Sequence, residues 1–285
     1  MEIKASQVKE LRDMTGVAMM ECKKALVECE GNIEKALDLL RSNSALKAEK
    51  KAARVAADGV LKIFVGNDYA TLVEINSETD FAAKDANFVD FTNEVHDFIA
   101  KNKISDISQL HESEIEEKRK SLVQTIGENI QLRRLITKDF SSDMNAGSYI
   151  HSDSKLGAVV IISGGDESLA KDIAMHVAAF NPLCLSESDL DSEILEREKA
   201  IYLVQAEDSG KPKEIMEKMI EGKLKRFLSE VSLLSQDFVK DPEISIQELL
   251  DSKNAKIESY SRLKVGEGIE VESKSFADEV AEQLK

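Results

Sequence analysis

Residues able to do chemistry are sparse in this chain and badly spaced for it. The four histidines, His96, His111, His151 and His176, form no His-x-x-x-His pair, and no Cys-x-x-Cys is present. Metal-ligand spacing is therefore missing. His96 and His176 fall within helical patterns, which favours hydrogen-bonded structural imidazoles, whereas His151 follows Tyr149 at a turn and is the more accessible. Cys22 stands beside Lys23 and Lys24, the electropositive setting a reactive thiolate wants, but it has no histidine partner and sits on an apolar helical stripe. No Gly-x-x-x-x-Gly-Lys-Ser/Thr run is present. Gly164-Gly165 lacks the spacing of a dinucleotide loop and reads as a turn. With 54 acidic residues, paired carboxylates carry no information. The chain is expected to be no enzyme and to hold no cofactor and no metal.

What stands out instead is the stretch 73–91, where strand alternation gives way to helical spacing with Asp80 and Phe81 at the junction. Two readings are open there. Phe81 is either an aromatic probe projecting beside a charge, or a core residue behind a capping box formed by Ser77 and Asp80. A second surface candidate gathers Arg12, Met19, Met20 and Lys23 around the Thr15-Gly16 turn. Two adjacent methionines cannot both face one side of a helix, so one is expected to be exposed; an adaptable binding patch and a plain pairing of one core with one incidental methionine both stay open.

These residues need supports, and the periodicity describes them. Residues 1–54 read as three short helices split by Thr15-Gly16 and Gly31-Asn32, an arrangement similar to a ubiquitin-associated module. Residues 47–57, rich in Lys and Ala, follow as a helical linker. Then comes a hairpin around Gly66-Asn67-Asp68, a helix near 85–101 and another near 112–135. Hairpin and helix recur over 148–180. Two helical segments between 189 and 230 flank Ser209 to Pro212 and read as a protruding antiparallel coiled-coil hairpin. A strand over 261–269 and a terminal amphipathic helix over 276–284 complete the pattern. The expected fold is α+β: a helical module (1–54), a two-part core with a duplicated hairpin-plus-helix plan (55–140, then 141–180 with 231–265), the coiled coil (181–230) and a C-terminal module (266–285).

Composition narrows the partners. A net charge of -16 argues against tracking phosphates, so no direct nucleic-acid binding is expected. An acidic surface fits a basic protein partner or plain solubility. Three cysteines suggest a reducing compartment. With no leader pattern and no apolar run of the roughly 18 residues that span a bilayer, the expectation is a cytoplasmic protein without a membrane partner. On the residues alone, an adaptor built on a ubiquitin-associated-like module remains open.

The run from Leu11 to Leu26 closely resembles the signature of the translation elongation factor Ts family. Val55 to Gly59, Thr79-Asp80-Phe81-Ala82-Ala83-Lys84-Asp85, Gly127-Glu128-Asn129, Ala174 to Ala179 and Val265 to Ile269 match its further blocks in order, with Ala82 where the family usually has valine. The resemblance covers the whole chain. It implies guanine nucleotide exchange on elongation factor Tu, with Arg12, Met19, Met20 and Lys23 contacting the partner's nucleotide-binding domain. Thr79, Asp80 and Phe81 would form a wedge near the nucleotide and its magnesium ion. His151 and Lys51 match further contact positions.

Overall fold

In the computed structural model, which describes residues 3–207 and 212–270, the chain begins with helices set by its glycines. Helix α1 (Ala5–Thr15) stops at Gly16, whose φ of 66° is the left-handed conformation glycine adopts without penalty and whose N–H reaches the Arg12 carbonyl at 2.7 Å. Helix α2 (Met19–Glu28) follows. The Asn32 side chain then accepts the Lys35 N–H at 3.0 Å and starts α3 (Ile33–Lys51). Val8, Leu11, Val17, Cys22, Leu26 and Leu40 close a small core between the three. Cys22 is buried there and donates its thiol to the Val17 carbonyl, a packing role.

Strand β1 (Asp58–Val65) pairs antiparallel with β2 (Tyr69–Ser77). A single turn, α4 (Asp80–Ala83), leads into α5 (Ala86–Asn102), α6 (Ile107–His111) and α7 (Glu114–Ile126), and the chain returns as β3 (Gln131–Asp139) beside β2. The helix expected over 112–135 is therefore half helix and half strand. Gly127, at φ 88°, caps α7 in the left-handed conformation and frees the rest to pair.

The second sheet is built from β4 (Met144–Ile150), β5 (Leu156–Ser163) and a later strand, β8 (Lys256–Lys264). Between them lie α8 (Glu167–Phe180), the helical pair α9 (Ser192–Glu207) and α10 (Lys213–Val231), a small hairpin of β6 (Asp237–Phe238) and β7 (Asp241–Ser245), and α11 (Ile246–Ser252). Strand β8 spans Lys256–Lys264, earlier than the expected 261–269, and residues 265–268 form a turn. The expected helix over 276–284 lies outside the described residues.

The two sheets meet face to face through Leu61, Leu72, Val159 and Leu263, and each is covered on its other face by helices. Val73 and Ile75 of β2 face Phe88, Phe91, Val95 and Leu122, while Val160 and Ile162 of β5 face Ile173 and Val177. A strand covered on both faces cannot alternate apolar and polar outwardly, which is why every residue of β2 is buried. Burial there includes Glu74. Burial alone would raise its carboxyl, but the Gly266 N–H, Arg133, Asn76 and Arg134 outweigh it and hold it below the carboxylate range.

At the foot of α9 and α10, His176 is fully buried. Its Nε2 donates to Gln236 Oε1 at 2.9 Å and its Nδ1 accepts the Val239 N–H at 3.2 Å, which fixes a neutral tautomer. No helix among the described residues is long and apolar enough to cross a membrane.

Candidate functional site

The Asp80–Phe81 turn is shaped by what precedes it. Thr79 has extended backbone (φ -128°, ψ 159°), and its Oγ1 accepts the Ala82 N–H at 3.2 Å. Thr79 is thus the helix cap; the capping box expected from Ser77 and Asp80 does not form, and Ser77 instead donates to the Thr79 carbonyl at 2.9 Å. Ala82 and Ala83 turn inward and are buried, so the helical period sends Phe81 outward, where it is 81% exposed. The core alternative for Phe81 is therefore wrong. Asp80 pairs with Lys84 at 2.7 Å, one helical turn on, and that hydrogen bond holds its carboxyl below the ordinary range.

Two neighbouring segments support this turn. Glu128 accepts both the Thr79 N–H at 3.0 Å and the Thr79 hydroxyl at 2.8 Å. Asn129 donates its N–H to Glu78 at 2.6 Å, while its side-chain amide donates to the Arg54 carbonyl at 2.8 Å. From the other side, the turn between β4 and β5 docks on β1 through Ser154, whose carbonyl accepts the Leu61 N–H at 2.7 Å, and through Lys155, which meets Asp58 at 2.9 Å. His151 belongs to that turn, exposed and 3.0 Å from Asp153. The positive charge of Lys155 also helps depress Asp80, and α4 packs on β1. The fold thereby assembles Thr79, Asp80 and Phe81 with the His151 turn at one end of β1.

The remaining expected residues sit on the first three helices. Arg12 and Lys23 are exposed, and so are Met19 and Met20, at 46% and 65%. Neither methionine is a core residue, whereas Val17 and Cys22 on the same segment are. Lys51 behaves differently: its ammonium reaches the Gly127 carbonyl inside this chain. The last turn of α7 joins the two regions, with Gln124 donating to Glu21 at 3.5 Å and Thr125 lying against Gly16. Glu78 and Glu128 hold the turn: Glu128 belongs to the Gly127-Glu128-Asn129 block and follows the glycine that stops α7, whereas Glu78 carries no signal of its own in the sequence.

Among the described residues, no three His, Cys, Asp or Glu side chains are grouped to hold a metal ion. The site defines an α+β protein that presents an aromatic ring beside a paired carboxylate on a braced single turn. The family model described as elongation factor TS matches residues 78–267. The chain is 51% identical over 285 residues to elongation factor Ts of Hahella chejuensis, covering 99% of each. It is 49% identical over 289 residues to that of Francisella tularensis subsp. novicida, covering 99% of each. With that of Thioalkalivibrio sulfidiphilus it shares 44% over 292 residues, covering 100% of this chain and 99% of the relative. The chain belongs to the elongation factor Ts family, a family of translation elongation factors.

Proposed function

We propose that this protein is a guanine nucleotide exchange factor for elongation factor Tu, working by binding and not by making or breaking bonds. The observation that carries the reading is the exposed ring of Phe81, held next to Asp80 on a turn whose own side chains are otherwise buried or paired. What supports the reading is not exposure alone but an aromatic ring, the side-chain type that dominates interface energetics, held outward on a turn braced from behind by Thr79 and Glu128.

Exchange requires the factor to bind nucleotide-free partner more tightly than GDP-bound partner, and linkage makes the effect reciprocal. Loosening GDP about 10⁴-fold takes roughly 5.5 kcal/mol of differential binding. Burying one phenylalanine supplies roughly 1.5–3 kcal/mol. Phe81 therefore acts with other contacts: Thr79, Asp80 and His151 at the same end of β1, and Arg12, Met19, Met20 and Lys23 on the first three helices. Asp80 and Phe81 displace the elements that hold magnesium and phosphate, while the methionine and basic side chains anchor the nucleotide-binding domain. Lys51, engaged with Gly127, serves from behind by stiffening the end of α7. In this reading residues 1–54 and 55–140 carry most of the exchange surface, residues 141–180 with 231–265 brace it and add His151, and 181–230 and 266–285 are appended modules.

The test is GDP release from elongation factor Tu in the presence of Asp80→Ala and Phe81→Ala. Both variants are expected to fold and to exchange slowly; parental exchange by both would refute the wedge.

A further inference from the structure

The segment Gly127-Glu128-Asn129 lies outside the contact residues, yet it supplies most of the polar hold on the Asp80–Phe81 turn. The Glu128 carboxylate takes both donors of one residue, the N–H and the hydroxyl of Thr79, at 3.0 and 2.8 Å. Because the hydroxyl hydrogen is committed to Glu128, a lone pair of Thr79 Oγ1 faces the Ala82 N–H, which it accepts at 3.2 Å. The cap of α4 is thus oriented by a carboxylate 49 residues further along the chain. One residue on, the direction reverses, with Asn129 N–H donating to Glu78 at 2.6 Å. Two adjacent residues from each segment grip each other reciprocally.

This grip matters because α4 has four residues, fewer than a self-supporting helix needs. Ala82 and Ala83 hold its inner side by packing, but methyl groups do not fix the rotation of the turn about its axis. The Thr79–Glu128 pair does.

Resting on the exchange function proposed above, we infer that Glu128 is a positioning residue for nucleotide exchange. Through Thr79 it sets the direction in which Asp80 and Phe81 leave the surface. It also stands where the support of the first three helices ends, one residue after the Gly127 carbonyl that Lys51 holds. A partner gripping both the methionine patch and the turn therefore meets two surfaces tied together at the end of α7.

The experiment compares the full-length parent with Glu128→Gln, Thr79→Val, the double variant, Thr79→Ser and Phe81→Ala. GDP release from elongation factor Tu is followed across a range of factor concentrations. Glu128→Gln, which removes the charge but keeps one acceptor, and Thr79→Val are each expected to lower the maximal rate by about three- to tenfold, the effect of weakening a solvent-exposed charge-assisted hydrogen bond. The half-saturating concentration should change by less than about twofold, because the anchoring contacts remain. The double variant should lose less than the product of the two single losses, since both act through one contact. Thr79→Ser, which keeps both donors, should exchange at the parental rate. Amide hydrogen exchange at Ala82 should quicken in Glu128→Gln.

A parental maximal rate in Glu128→Gln alongside a slow Phe81→Ala overturns the positioning role and leaves the wedge standing. Multiplicative losses in the double variant also overturn it, because Glu128 then acts elsewhere. A parental rate in Phe81→Ala brings down the underlying reading instead.

Discussion

Replacing Phe81 by alanine should cost this protein almost no stability, whereas the same change at Phe88, seven residues on, should be severe. Phe81 is 81% exposed and Phe88 is fully buried against Val73, Ile75 and Leu122. Burying a whole phenylalanine is worth roughly 1.5–3 kcal/mol, so the covered fifth of Phe81 contributes about 0.3–0.6 kcal/mol. Alanine is the better helix former by up to about 0.7 kcal/mol, which offsets that loss. The net change for Phe81→Ala is therefore within about 0.5 kcal/mol of zero. Phe88→Ala loses the transfer energy and leaves a cavity, for about 3–5 kcal/mol. Urea unfolding followed by circular dichroism measures both, with the slope against denaturant checked for constancy. A loss above about 1 kcal/mol in Phe81→Ala would show that the ring is packed in solution, and the reasoning about an exposed wedge would fail.

Two further outcomes follow from the second sheet. Burial, working against the Gln236 hydrogen bond, holds His176 below its ordinary value of 6.5, so the unfolded chain takes up that proton first. Stability present above about pH 6.5 should then fall as the pH drops toward the folded-state value, with a limiting slope of about 1.4 kcal/mol per pH unit. Urea titrations across this range should show that component missing in His176→Gln, and an unchanged slope would refute the assignment. At Gly147 an added Cβ would stand 2.1 Å from the Ala170 carbonyl carbon, so Gly147→Ala must push α8 off β4. The expected cost is about 1–3 kcal/mol, and a parental melting temperature would contradict it.

Local patterns made much of the fold legible, and failed where a distant residue decides. Gly16, Gly31 and Asn32 punctuate the first helices as their backbone chemistry requires. Strand β3 is hidden in the sequence because Arg133 and Arg134 look like a solvated helical face. They are tolerated in a strand since Glu74, 59 and 60 residues away, takes both guanidinium groups. Of the two readings open for Met19 and Met20, the pairing of one core with one outside methionine fails: both are exposed, and Val17 and Cys22 are the core residues of that segment. At the site, the residue types of Asp80 and Phe81 stand out in the sequence, but their direction does not follow from spacing. It depends on Thr79 and not Ser77 being the cap, and the capping hydroxyl is held by Glu128 from across the fold.

The base of α9 and α10 has a consequence for how this chain can vary. Leu183 N–H meets the Val231 carbonyl at 2.8 Å, Leu233 N–H meets the Cys184 carbonyl at 2.9 Å, and Cys184 bridges to Ser232. Chain going out and chain coming back are thus stitched together before the helices begin, and of α9 and α10 only Ala206 is buried. Topologically the pair is a side branch on a closed stem. Its length can be trimmed or extended without altering a single ladder bond of either sheet, so long as the stem and its buried histidine stay whole.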